Sequence, residues 1–175
     1  MRRAWVSVLV LGLLPAALAQ RRHDPLDPAE IDQLRDAAQD PEIRLKLYVT
    51  FARVRLDALD KARAEAKGPD RGQQTHDRLQ DFLDVYDELN DNIDTFVDRK
   101  ADLRKPLKNI LEADTEFQAK LRALKESASS TPEEAKTYDL LLANTIDTLD
   151  SSAQDHRQLL EEQEEAAKHK KPAKP

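Results

Sequence analysis

Apolar residues recur every three and four positions through most of this chain, with charged residues between them. That period predicts helices rather than strands. From Leu79 onward the pattern is a heptad. With Leu79 at position a, the d positions are Phe82, Leu89, Phe96, Leu103, Ile110, Phe117 and Leu124, all apolar. The a positions are Leu79, Tyr86, Ile93, Lys100, Leu107, Asp114, Leu121 and Ala128. The count passes Pro106 without a slip, and the proline falls at g, off the seam. Inside a helix a proline removes one backbone bond and bends the axis. The phase therefore predicts one long helix over about residues 73–128, kinked at Pro106. The alternative is a turn at residues 104–106, which gives a compact up-down four-helix bundle.

Start and stop signals place the other helices. Asp27, Pro28 and Glu30 form a capping-box start for a short helix over about residues 28–39. Asp40 and Pro41 restart the chain into a helix over about 41–67. It carries two apolar stripes, Leu45, Tyr48, Val49, Ala52, Leu56, Leu59 and, beside it, Leu47, Phe51, Val54, Ala58. So wide an apolar arc predicts a place between neighbours. Gly68 and Pro69 stop it. Thr131, Pro132 and Glu134 repeat the start signal for a last helix over about 132–167, whose inner face is Tyr138, Leu141, Leu142, Ile146, Leu149, Ala153, His156, Leu159 and Leu160. Short connections make sequential helices antiparallel. The second helix is expected against the first half of the long one, and the last against its second half. The predicted fold is all-α: an elongated antiparallel helical bundle or coiled coil, one domain over residues 27–167.

The ends are of a different character. Arg2 and Arg3 precede an apolar run from Ala4 to Leu14, and Ala17-Leu18-Ala19 is a small-x-small cleavage pattern. Residues 1–19 read as a secretory signal peptide, with cleavage between Ala19 and Gln20. Residues 20–26 read as a flexible leader. Residues 168–175 read as a disordered basic tail, whose Lys168, Lys170, Lys171 and Lys174 are candidates for contact with an anionic envelope surface.

Composition narrows the classes. The chain has a net charge of −6 and no cysteine, so no disulfide framework is available and general nucleic-acid binding is disfavoured. Its glycines are only Gly12, Gly68 and Gly72, which argues against phosphate-cradling loops. No Asn-x-Ser/Thr acceptor occurs. The lack of cysteine and of that acceptor points to a bacterial periplasm over a eukaryotic secretory route, and the expected location is periplasmic or extracellular.

Candidate chemistry is sparse. Asp77, Asp81, Asp84, Asp87, Glu88, Asp91, Asp94 and Asp98 make an acidic stripe off the seam. It is expected as a solvated face, partly paired with Arg53, Arg55 or Arg63, and weak divalent-cation binding or contact with a basic partner is the functional reading. Lys100 and Asp114 are charged residues at seam positions, candidates for register fixing or a partner groove. None of His23, His76, His156 and His169 follows a glutamate by three, as di-iron bundles require. His156, on an inner face, is expected as a hydrogen-bonded edge residue rather than a ligand. No catalytic, cofactor or metal residue is assigned.

The functional expectation is an exported, non-enzymatic helical scaffold or interaction protein of the bacterial cell envelope, with a protein partner or self-association. The alternative is a periplasmic chaperone-like protein or stress adaptor. Small exported helical chaperones share the size and the lack of cysteine. The Leu-Thr-x-x-Gln motif that some carry has no counterpart here, where Leu26 is followed by Asp27-Pro28-Ala29-Glu30.

Overall fold

A computed structural model describes residues 24–65, 70–128 and 131–169. The signal-peptide and cleavage expectations, the Gly68-Pro69 stop, His23 and the tail lysines Lys170, Lys171 and Lys174 lie outside them. The described chain forms six helices: α1 (Pro28–Asp36), α2 (Pro41–Glu65), α3 (Arg71–Asp98), α4 (Arg104–Ala128), α5 (Pro132–Ala135) and α6 (Asp139–His169). Among the described residues there is no strand, and no helix is long and apolar enough to cross a membrane.

The first two helices begin as their sequences dictate. Glu30 N–H donates to Asp27 Oδ1 at 2.8 Å and Asp27 N–H to Glu30 Oε2 at 2.9 Å, a complete capping box. Ile43 N–H donates to Asp40 Oδ1 at 3.0 Å, with Pro41 opening α2.

The single kinked helix does not form. The chain reverses between α3 and α4, and the turn lies before Pro106, not at it. Ala101 N–H bonds to Phe96 C=O at 3.0 Å and Lys100 N–H to Val97 C=O at 2.8 Å. This pair of bonds is the Schellman closure of a helix C-terminus, and Lys100 fills its left-handed position with φ 59°. Asp102 then accepts from Arg104 N–H at 3.2 Å, and Leu107 N–H makes a helical bond to Leu103 C=O. Pro106 sits in the first turn of α4, where a missing N–H forfeits no helical bond.

Contacts along the helices give the directions. Arg44 meets Asn92 and Arg63 meets Thr75, so α2 and α3 are antiparallel. Lys108 meets Glu164 and Arg122 meets Asp150, so α4 and α6 are antiparallel. The expected pairing of neighbours is therefore present, as two hairpins. Between hairpins the neighbours run parallel: Glu42–Lys105, Arg53–Glu116 and Asp57–Lys120 join α2 to α4, and Asn90–Ser152 joins α3 to α6. Helices α3 and α4 face each other across the core rather than side by side, touching through Phe82, Tyr86, Phe117 and Asp114. The turn at residues 99–103 thus crosses the end of the bundle diagonally. The molecule is a compact up-down bundle, not an elongated coiled coil.

The last predicted helix is also divided. Thr131 makes no side-chain cap, and Glu134 does not reach back to it. Glu134 instead accepts from Arg63 at 3.0 Å in a nearly buried pair. Only one turn, α5, forms before the chain bends at residues 136–138 into α6. The bend lies against Gly72 of α3: a Cβ there would stand 2.9 Å from both Glu134 O and Thr137 Oγ1. Glycine permits that approach.

Candidate functional site

The heptad buries a row of apolar side chains in which a polar layer is set. Tyr86 on α3, Asp114 on α4 and His156 on α6 are 0%, 1% and 4% exposed. Tyr86 Oη donates to Asp114 Oδ1 at 2.8 Å. The His156 ring, through Nδ1, meets Asp114 Oδ2 at 2.8 Å. Each carboxyl oxygen therefore has one donor, and three helices from two hairpins are tied to one carboxyl group. One turn along, Asn90 Nδ2 donates to Ser152 Oγ at 3.1 Å, extending the layer between α3 and α6.

Heptad position explains why these side chains meet. Tyr86 and Asp114 are both a residues, and His156 continues the inner row of α6 through Leu149 and Ala153. The sequence singled out Asp114 and His156 separately but gave no sign that they pair. In the heptad Tyr86 is an ordinary seam residue. Lys100, the other charged a residue, has a different fate: it is exposed at the left-handed cap of α3. The two charged seam positions are not brought together.

The Tyr86 hydroxyl titrates well above the usual phenol range. Burial is the main cause, the charge of Asp114 and the hydrogen bond to it add to the shift, and a hydrogen bond with Ser152 opposes it. Burial likewise raises Tyr48, against the pull of Arg44. The folded protein therefore holds these protons more tightly than the unfolded chain, whose tyrosines titrate near pH 10. The resulting stabilisation is complete below about pH 10 and is lost as pH rises above it. Tyr86→Phe is expected to flatten that alkaline decline. Urea unfolding at stepped alkaline pH measures it, and a decline as steep as the parent's would disprove the assignment.

Three arginines of α2 hold the surrounding elements. None pairs with the acidic stripe of α3, contrary to expectation, because each finds a glutamate elsewhere. Arg53 takes Glu116 of α4 at 2.8 Å and lies over the Phe117 ring. Arg55 takes Glu30 of α1, both largely buried, and the carbonyl of Pro25. Arg63 reaches Glu134, Thr75 and Tyr138 Oη. Stripe carboxylates find local partners instead, as in Arg78–Asp81 and Gln80–Asp84. Glu88 is raised by burial and then by the charges of Asp91 and Asp24. Among the described residues no three His, Asp or Glu side chains converge as a metal-binding set.

The polar layer is sealed. Two open grooves, about 500 Å³ and 350 Å³, run along α2 and α4, and neither is lined by Tyr86, Asp114 or His156. The first is bordered by both signs of charge, with Arg104, Lys105 and Lys108 beside Asp40, Glu42 and Asp102. Lys168, the described member of the basic tail, pairs with Glu165 at 2.6 Å. The half-buried e residues Leu83, Val97 and Leu111 flank the seam. On the outer face of α2, Ile43 is 53% and Val54 50% exposed. Leu47 lies half-buried between them at helical spacing. The layer of Tyr86, Asp114 and His156 joins helices, and its own side chains are closed off from solvent. Comparisons of the chain with protein-family models, with curated proteins and with solved structures find no match.

Proposed function

We propose that this chain is an exported interaction protein of the chaperone-like or stress-adaptor kind, binding partner chains on its outer surface without catalysis. The supporting observation is the apolar row Ile43, Leu47 and Val54 on α2, exposed at two of its three positions while the core is closed. Exposed apolar residues aligned on one helix face are what a non-polar partner segment would cover. An extended scaffold has less support, since the chain folds back on itself at residues 99–103. Export rests on residues 1–19, with cleavage between Ala19 and Gln20, and implies a periplasmic or extracellular site of action.

The test is suppression of aggregation. The chain from Gln20 onward contains every described residue. At equimolar ratio it is expected to slow light scattering by a thermally unfolding client. Ile43→Glu with Val54→Glu is expected to lose that protection while keeping the parent's helical circular dichroism and melting temperature. Equal scattering with and without the protein would overturn the reading.

A further inference from the structure

Among the described residues, the one non-glycine with positive φ, Lys100, lies in the turn that joins the two hairpins. We propose that the chain also forms a domain-swapped dimer in which α3 and α4 run on as one helix. Each α4–α6 hairpin then packs on the α2–α3 hairpin of a second copy. The inference is independent of the chaperone-like reading.

Three observations carry it. First, residues 99–103 are the only covalent link between α2–α3 and α4–α6. Second, the heptad count is unbroken across that link. Leu79, Phe82, Tyr86, Leu89, Ile93 and Phe96 before it, and Leu103, Leu107, Ile110, Asp114, Phe117 and Leu121 after it, are all buried in the closed form. A straightened α3–α4 helix would present the same residues on one continuous seam. Third, the turn depends on Lys100 in the left-handed region, where a non-glycine residue is disfavoured and glycine is the usual occupant. Straightening the turn removes that strain. Pro106 opposes the change, because in a continuous helix it would leave the Asp102 carbonyl without its bond.

The swapped interface needs no new chemistry. Helices α3 and α4 already face each other antiparallel across the core. A two-fold axis at residue 100 sets the α4 of a second copy antiparallel to this α3. Tyr86–Asp114, Phe82–Phe117, Arg53–Glu116 and Asn90–Ser152 then form between chains instead of within one. The fused helix, Arg71 to Ala128, would be roughly 87 Å long at 1.5 Å per residue.

Because the chain has no cysteine, a designed pair reports which chain supplies each hairpin. Asn90→Cys with Ser152→Cys, placed where the side chains are in contact, oxidises within a chain in the closed monomer and between chains in the swapped dimer. After incubation at high protein concentration with mild warming, the parent is expected to show a dimer by light scattering. The dimer of the Asn90→Cys, Ser152→Cys variant, incubated in the same way, should become disulfide-linked between chains on a non-reducing gel. Lys100→Gly, which relieves the turn, is expected to lower the dimer fraction about tenfold. Lys100→Leu with Pro106→Ala, which favours the helix, is expected to raise it by about as much. Pro106→Ala alone keeps the native turn residue and is expected to raise it less. A chain that stays monomeric in every variant, or a dimer whose disulfides remain within single chains, would overturn the proposal.

Discussion

Replacing His156 with leucine is expected to destabilise the fold by about 3–5 kcal/mol. The side chain is 4% exposed, and its ring is the partner of Asp114 Oδ2. Leucine fills much of the space but donates nothing. Asp114, itself 1% exposed, would keep only the Tyr86 hydroxyl, with one buried carboxyl oxygen left bare. Removing one member of a buried polar pair is far more damaging than removing all of them. The combination Tyr86→Phe, Asp114→Leu, His156→Leu is therefore expected to recover most of the loss, to within about 1–2 kcal/mol of the parent. Urea unfolding of the parent, the single variant and the combination measures both numbers. A single variant as stable as the parent would show that the layer does not hold the helices. A combination no better than the single variant would show that the damage is volume rather than lost partners. The layer has a further effect on pairing. Sliding α4 or α6 by one turn against α3 would strand the carboxyl among apolar side chains, so the polar contacts select one alignment of the two hairpins.

The sequence pointed to much of this molecule, and the parts it obscured have identifiable causes. Asp27 and Asp40 act as caps, and the prolines after them open the helices, because helix initiation is local chemistry, decided within four residues. The a and d positions are buried as the heptad requires, with Lys100 the exception. The same heptad cannot tell a bent helix from a reversal, because a diagonal crossing points the identical face inward on both sides of the turn. The turn was hidden for a second reason: its left-handed position holds Lys100, so the usual glycine signal is missing. At Thr131 a local signal lost to a distant one. Glu134, which a capping box would use, is taken by Arg63, a residue 71 positions earlier. The outer stripe of α2 gave a mixed result. Phe51 is buried, but Val54 remains half exposed. The polar layer was the least legible feature. Tyr86, Asp114 and His156 meet only once three helices are placed, and nothing in their spacing records that meeting.

Phe117→Ala is expected to cost about 3–5 kcal/mol, comparable to the loss of His156 but by a different route. Phe117 is fully buried on α4. Its ring meets Phe82 edge-on at 5.4 Å and Tyr86 at 6.4 Å, both on α3. It is thus an apolar contact between helices that face each other across the core, immediately beside the polar layer. The Arg53 guanidinium lies 5.9 Å from the ring on its way to Glu116. Truncation would remove the aromatic pairs, open a cavity in the bundle centre and take away the surface on which Arg53 rests. Phe117→Leu keeps most of the volume and is expected to cost less than about 1.5 kcal/mol. The arginine contact adds a second readout. In Phe117→Ala the Arg53–Glu116 pair, about two-fifths exposed on each side chain, would lose its backing, so Arg53→Ala should cost less there than in the parent. A double-mutant cycle by urea unfolding measures that coupling. Strict additivity of the two substitutions would show that the ring and the guanidinium act independently.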